Sequence, residues 1–203
     1  MQTATLTSAK VQEMASRWRD RRWANLRWGD LWVLGVVVLL VSGTSAQSPA
    51  ASEYQVKAAF LYNFAKFVEW PPSSFHDGSA PLQICVLGRD PFGEVLRDIT
   101  REKTVNGHKL EVRGVVDLQL ARACHILFIA FSERTRLKQI FEALQGSYAL
   151  TVGDAKDFAE QGGMINFVLQ DDRVQFEVSR TAVEQSGLKI SSKLLAVAKV
   201  VIG

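Results

Sequence analysis

The chain has 203 residues, 47% of them hydrophobic and 22% charged, so it can bury a core and is not a disordered polymer. Two cysteines are too few for a disulfide-dense miniprotein. The net charge of +3 sits in one place: residues 1–46 hold six of the 24 basic and three of the 21 acidic residues, leaving 18 of each sign in 47–203. A balanced main body removes the electrostatic case for nucleic acid, which rests on clustered Lys and Arg against phosphates.

Leu31 to Val41 is an uninterrupted apolar run of eleven residues behind a basic segment, followed by Ser42-Gly43-Thr44-Ser45-Ala46. A membrane-spanning helix needs about 20 apolar residues. The pattern predicts a cleavable secretory signal peptide over 1–46, with Ala46 before the cut, rather than an uncleaved anchor. The segment before the run is long, and Met14 offers a downstream start. Arg21-Arg22 evokes twin-arginine export, but Trp23-Ala24-Asn25 fits that pattern poorly. Residues 47–52 read as a short linker and 53–203 as one domain.

Ser52-Glu53-Tyr54-Gln55 has the form of a capping box. It predicts a helix to Trp70, stopped by Pro71-Pro72, with Val56, Phe60, Phe64 and Phe67 inward at helical spacing. Pro81 to Gly88, an apolar run ending at a glycine, reads as a buried strand. Asp90-Pro91 should open a helix running toward Ile99. Val105 to His108 is a turn, Leu110 to Gly114 a second strand, and Ala123 to Ala130 a third, apolar enough to be central. Ser132 should cap a helix with Leu137, Ile140, Phe141 and Leu144 on one face, ended by Gly146. Tyr148 to Val152 is a fourth strand, followed by a brief helix through Phe158. Met164–Leu169 and Val174–Val178 read as a hairpin, and helices over Arg180–Ser186 and Ser192–Val201 finish the chain. Strand–helix alternation predicts a three-layer α/β/α sandwich with a mostly parallel sheet and an antiparallel edge hairpin.

No nucleophile elbow, phosphate-cradling glycine loop, dinucleotide fingerprint or zinc-protease motif occurs. His76, His108 and His125 lack metal-ligand spacing, so neither a metal nor a cofactor is expected. An enzyme is the weaker hypothesis. Cys85 and Cys124 open the first and third strands, which are neighbours in doubly wound sheets, so a disulfide is expected rather than two buried thiols. His125 should point to the opposite sheet face from Cys124, which disfavours a Cys–His catalytic pair. Ligands in open parallel sheets bind beyond the carboxyl ends of the strands. That rule nominates Arg89, Asp90, Gly153 and Asp154 as candidate ligand-binding residues, with the helix start at Pro91 assisting Arg89. Lys189 is a further candidate near the C-terminus. Ordinary turns and caps explain the same residues.

Several segments taken together resemble the YfiR-like family of periplasmic proteins: Glu53 to Pro71, Val86 to Gly93, Cys124 to Ile129, Leu150 to Asp154, Phe158 to Phe167 and Gly187 to Leu195. The resemblance implies an exported α/β sandwich, often a homodimer. It also implies a regulator that binds the periplasmic sensor domain of an inner-membrane diguanylate cyclase and holds it inactive. An outer-membrane lipoprotein that sequesters the inhibitor is the implied third component. Family matches support Cys85–Cys124 as a disulfide position. The second cysteine pair of some members is missing here, which puts the same redox control in doubt. A small-molecule sensor or transport accessory is the competing reading.

Overall fold

The strands Leu82–Leu87, Ile126–Ile129 and Leu150–Gly153 are apolar at nearly every position, so both of their faces must be covered. A computed structural model, which describes residues 49–203, covers both. In chain order the elements begin with α1 (Pro49–Phe67), β1 (Val68–Glu69), a 3-10 turn (Pro72–Ser74), β2 (Leu82–Leu87), α2 (Glu94–Thr100), β3 (Thr104–Val105) and β4 (His108–Val115). They continue with α3 (Leu118–Ala121), β5 (Ile126–Ile129), a 3-10 segment (Phe131–Arg136), α4 (Leu137–Leu144), β6 (Leu150–Gly153) and β7 (Ile165–Gln170). The chain closes with β8 (Arg173–Ser179), α5 (Arg180–Ser186), β9 (Lys189–Ile190), α6 (Ser192–Val197) and β10 (Val200–Ile202). The signal-peptide expectation for 1–46 falls outside the described residues.

Eight strands form one sheet in the order β10-β8-β7-β6-β5-β2-β4-β3. All neighbours are parallel except the hairpins β7/β8 and β3/β4. A separate two-stranded ribbon joins β1 to β9, pairing Val68 with Ile190 and Glu69 with Lys189. Alternation along the strands splits the core in two. Ile84 and Val86 of β2, with Ile126 and Phe128 of β5, face α1, α2, α5 and α6. Cys85 and Leu87, with Leu127 and Ile129, face α3, α4 and Phe158. The result is the expected α/β/α sandwich.

On α1 the fully buried stripe is Ala58, Leu61, Phe64 and Ala65, spaced to one helix face. Phe60 and Phe64 meet Phe167 of β7 and Phe176 of β8, with ring centroids 5.2 to 5.9 Å apart. Such pairs add roughly 0.5–1.5 kcal/mol each beyond area burial. Val56, expected inward, is 44% exposed, because the helix turns that flank away from the sheet.

Several boundaries differ from the sequence reading. α1 starts at Pro49, so the stretch read as a linker is partly helical and Ser52 is not a cap. It stops at Phe67, where Val68 leaves the helix to pair with β9. Asp90 does not open a helix. Its Oδ1 accepts from Phe92 N at 2.8 Å, an Asx turn that delays α2 to Glu94. Ser132 lies inside a 3-10 segment, and α4 begins at Leu137. The brief helix expected through Phe158 is a series of turns. The last helix ends at Val197, and β10 follows it as a parallel neighbour of β8. The β7/β8 hairpin is therefore one strand in from the edge.

Among the described residues no helix is long and apolar enough to cross a membrane.

Candidate functional site

The carboxyl ends of three adjacent strands lie level, with Leu87 opposite Ile129 and Ile129 opposite Gly153. The loops beyond them carry Arg89, Asp90, Gly153 and Asp154, so the structure does gather these four on one rim. Their side chains differ in availability. Arg89 is exposed, and its backbone N–H donates to Ser132 Oγ at 3.0 Å. Gly88 permits that contact. Its φ is +94°, and a Cβ there would lie 2.5 Å from Ser132 Oγ. Asp90 is exposed but held in its Asx turn. With α2 starting at Glu94, no helix N-terminus lies at Pro91 to assist Arg89.

Asp154 is the most constrained of the four. Its side chain is 6% exposed and its Oδ2 accepts from Lys57 Nζ at 2.6 Å and from Tyr54 Oη at 2.8 Å. Lys57, itself buried, also pairs with Glu53 one helical turn back, at 2.6 Å. Burial, reinforced by the Asp154 charge, pushes the Tyr54 hydroxyl well above its ordinary pKa. Asp154 thus clamps the amino half of α1 to the sheet. Gly153 has a packing role: the Phe158 ring fills the space a Cβ would need, at 2.5 Å.

Lys189 lies elsewhere. It is exposed on β9, opposite Glu69 of β1, which follows the far end of α1. Tyr54 and Phe67 are 13 residues apart on that helix, about 20 Å along its axis. Lys189 therefore belongs to the opposite end of the sheet from Arg89 and Asp154.

That opposite end holds what the sequence reading missed. Two of the three histidines, His108 and His125, meet there on Phe75, and His76 lines the cleft beside them. His108 stacks on Phe75 with centroids 3.9 Å apart, and His125 stacks at 4.3 Å. Trp70 meets His125 edge-on at 6.0 Å, and its indole N–H donates to the carbonyls of His125 and Tyr148. His125 is 4% exposed, and its Nδ1 accepts from the Gln83 N–H at 3.1 Å. Burial, with the His108 charge second, pushes the His125 imidazole down to about 4. Beside the stack opens a cleft of about 620 Å³, walled by Trp70, Phe75, Leu82, Val105 and His108. Asp77 stands at this cleft, its carboxyl held below the usual range by hydrogen bonds from Ser79. Among the described residues no three His, Cys, Asp or Glu side chains are placed to hold a metal ion.

The disulfide expectation holds. Cys85 and Cys124 are bonded, with Cα atoms 6.0 Å apart. Cys124 precedes β5 rather than opening it. Both cysteines belong to the α4 side of the core, whereas His125 faces the Phe75 side.

A family profile described as YfiR/HmsC-like matches residues 54–199. The chain belongs to the YfiR/HmsC-like family. The match runs from the clamp at Tyr54 and Lys57 through the disulfide to the segment beside β10, so it takes in both ends of the sheet. Among solved structures, a conserved domain protein from Vibrio cholerae O1 biovar El Tor is similar in fold, with a TM-score of 0.52 at 12% identity. The similarity covers 73% of this YfiR/HmsC-like chain and 60% of that one. The ABC domain in complex with L-Trp from Streptococcus pneumonia gives a TM-score of 0.45 at 12% identity, over 76% and 60% of the two chains, too loose a likeness to carry an argument. The chain spans about 60% of the length of each of these structures.

Proposed function

We propose that this protein is a periplasmic regulator that binds the sensor domain of an inner-membrane diguanylate cyclase and represses it, lowering cyclic di-GMP. Membership of the YfiR/HmsC-like family over residues 54–199 carries this reading. The balanced charge of 47–203 and the export pattern of 1–46 are consistent with it. In this reading the molecule works by presenting a fixed surface, with the Cys85–Cys124 bond and the Lys57–Asp154 clamp holding the sandwich rigid. A homodimer and an outer-membrane lipoprotein partner belong to the same proposal. Deleting the gene in its native host should raise cyclic di-GMP, and capture from membranes should recover a cyclase. Unchanged cyclic di-GMP after deletion refutes the reading.

The 620 Å³ cleft beside the Phe75 stack favours a second reading, a small-molecule-binding sensor or transport accessory. None of Arg89, Asp90, Gly153, Asp154 or Lys189 lines this cleft, so in that reading they are candidate contacts of a separate site. A thermal-shift screen with amino acids and nucleotides tests it, and the absence of stabilisation counts against it.

A further inference from the structure

The cleft beside the Phe75 stack is built in two levels. Its floor is apolar and covered: Leu82 is 2% exposed and Val105 5%. Trp70 and Phe75, both half-buried, form walls. Its rim carries two exposed carboxylates, Glu69 and Asp77, and no lysine or arginine lines any part of it. Neither carboxylate is in an ion pair. Lys189 lies opposite Glu69 in the β1/β9 ribbon, but it does not line the cleft. At about 620 Å³ the space falls within the roughly 300–1,000 Å³ of small-molecule sites.

The polar side is fixed in advance. Asp77 Oδ1 accepts from the Ser79 N–H at 2.8 Å and from Ser79 Oγ at 2.7 Å, which leaves Oδ2 open. The Ala80 N–H donates to the Asp77 carbonyl at 3.1 Å, and His108 Nδ1 meets the Ala80 carbonyl at 2.6 Å. One turn thus ties Asp77 to the His108 ring that stacks on Phe75. A carbonyl only accepts, so the Nδ1 proton is spent on Ala80 and is no donor for a ligand. An anion in this cleft would meet two like charges with no lysine or arginine to offset them. An uncharged ligand would gain from the floor alone, whereas a cation on an apolar body uses both levels. Among the described residues no three side chains are placed to hold a metal, so the fitting cation is an organic one.

We propose that this cleft binds an organic cation with an apolar body, of the arylalkylammonium class, its hydrocarbon on Leu82, Val105 and Trp70 and its charge held at the rim by Asp77 and Glu69. This ligand class rests on the small-molecule reading above.

Calorimetric titration of the purified protein at pH 7.5 with 2-phenylethylammonium, 2-phenylethanol and 3-phenylpropanoate keeps the body and changes the charge. The ammonium should bind at submillimolar concentration, the alcohol about fivefold more weakly, and the anion not at all. Asp77→Asn keeps an acceptor for Ser79 and should weaken the ammonium about threefold, and Glu69→Gln about twofold, with the alcohol unchanged in both. The double variant should bind ammonium and alcohol alike. Wild-type protein that binds the alcohol or the anion as well as the ammonium would overturn the proposal and leave the small-molecule reading standing. Ammonium binding that neither substitution weakens would overturn the assignment to this cleft. Silence from all three at millimolar concentration would overturn the proposal too, and the wider thermal-shift screen then decides the small-molecule reading by itself.

Discussion

Acidification should destabilise this fold through one side chain, His125. In the folded protein its Nδ1 is an acceptor for the Gln83 N–H at 3.1 Å, and its ring lies against Phe75. A proton added at Nδ1 would face a donor and be buried beside a second histidine, His108. The imidazole is accordingly held at about 4, against 6.5 in the unfolded chain. Between those two values the unfolded chain binds a proton that the folded chain refuses, so stability falls as pH drops through the window. The contribution is fully present above about 6.5 and lost by about 4. The gap corresponds to at most about 3 kcal/mol, a large share of the 5–15 kcal/mol that holds a typical domain. His125→Asn supplies the control: its side-chain oxygen can accept from Gln83, but nothing titrates there. Urea unfolding followed at several pH values, with the fluorescence of Trp70 as the reporter, measures the difference between wild type and variant. Trp70 is the one tryptophan after residue 46, and it touches His125. The wild type should lose stability relative to the variant on going from pH 7 to 4. A difference that stays constant over that range would refute the reasoning.

Replacing Cys85 and Cys124 by serine opens a loop of 39-residue separation and should cost about 4 kcal/mol by chain entropy, read from the shift in urea midpoint. Asp154→Asn leaves buried Lys57 with only Glu53, and should cost about 3 kcal/mol and increase hydrogen exchange in the first two turns of α1. Lys57→Met in that background should recover part of the loss. Gly153→Ala forces the Phe158 ring aside and should cost roughly 1–3 kcal/mol by denaturant unfolding, with Phe158→Leu restoring part of it.

The central strands were legible because burial on both faces leaves a plain mark, a run such as Ile126 to Ile129 with no polar interruption. The hairpin at Asp171-Asp172 was legible from local chemistry, since both residues take positive φ, which Asp tolerates better than most. The disulfide followed from strand adjacency, with Cα atoms that lie 6.0 Å apart. The boundaries of α1 and α6 were not legible. Val68 and Val200 have strand partners more than 20 residues away in the chain, and no local pattern reports such a partner. Asp90 has one side chain for two uses, a helix cap or an Asx turn, and only the packing of Phe92 against Phe128 and Tyr54 selects the second.

The rim residues were placed together correctly because strand ends fall level in a parallel sheet. That Asp154 is occupied was partly readable: Lys57 is a charge set among apolar residues of a helix, with Glu53 four positions earlier, and a buried Lys demands a carboxylate. The histidine cluster gave no signal at all. His76, His108 and His125 lie in two loops and a strand edge, and only the turn after Trp70 folds Phe75 between two of the rings.

The aromatic seam between α1 and the β7/β8 hairpin bears on the order in which the molecule can be completed. A chain is made from its amino end. Phe60 and Phe64 appear about a hundred residues before Phe167 and Phe176, the rings they finally meet. For most of its emergence this aromatic-bearing helix has no surface to lie on, and the ribbon that anchors its end needs Lys189 and Ile190, which come later still. Synthesis therefore passes through a stage with a bare aromatic helix, the kind of intermediate that holding chaperones capture and that aggregates when they are scarce.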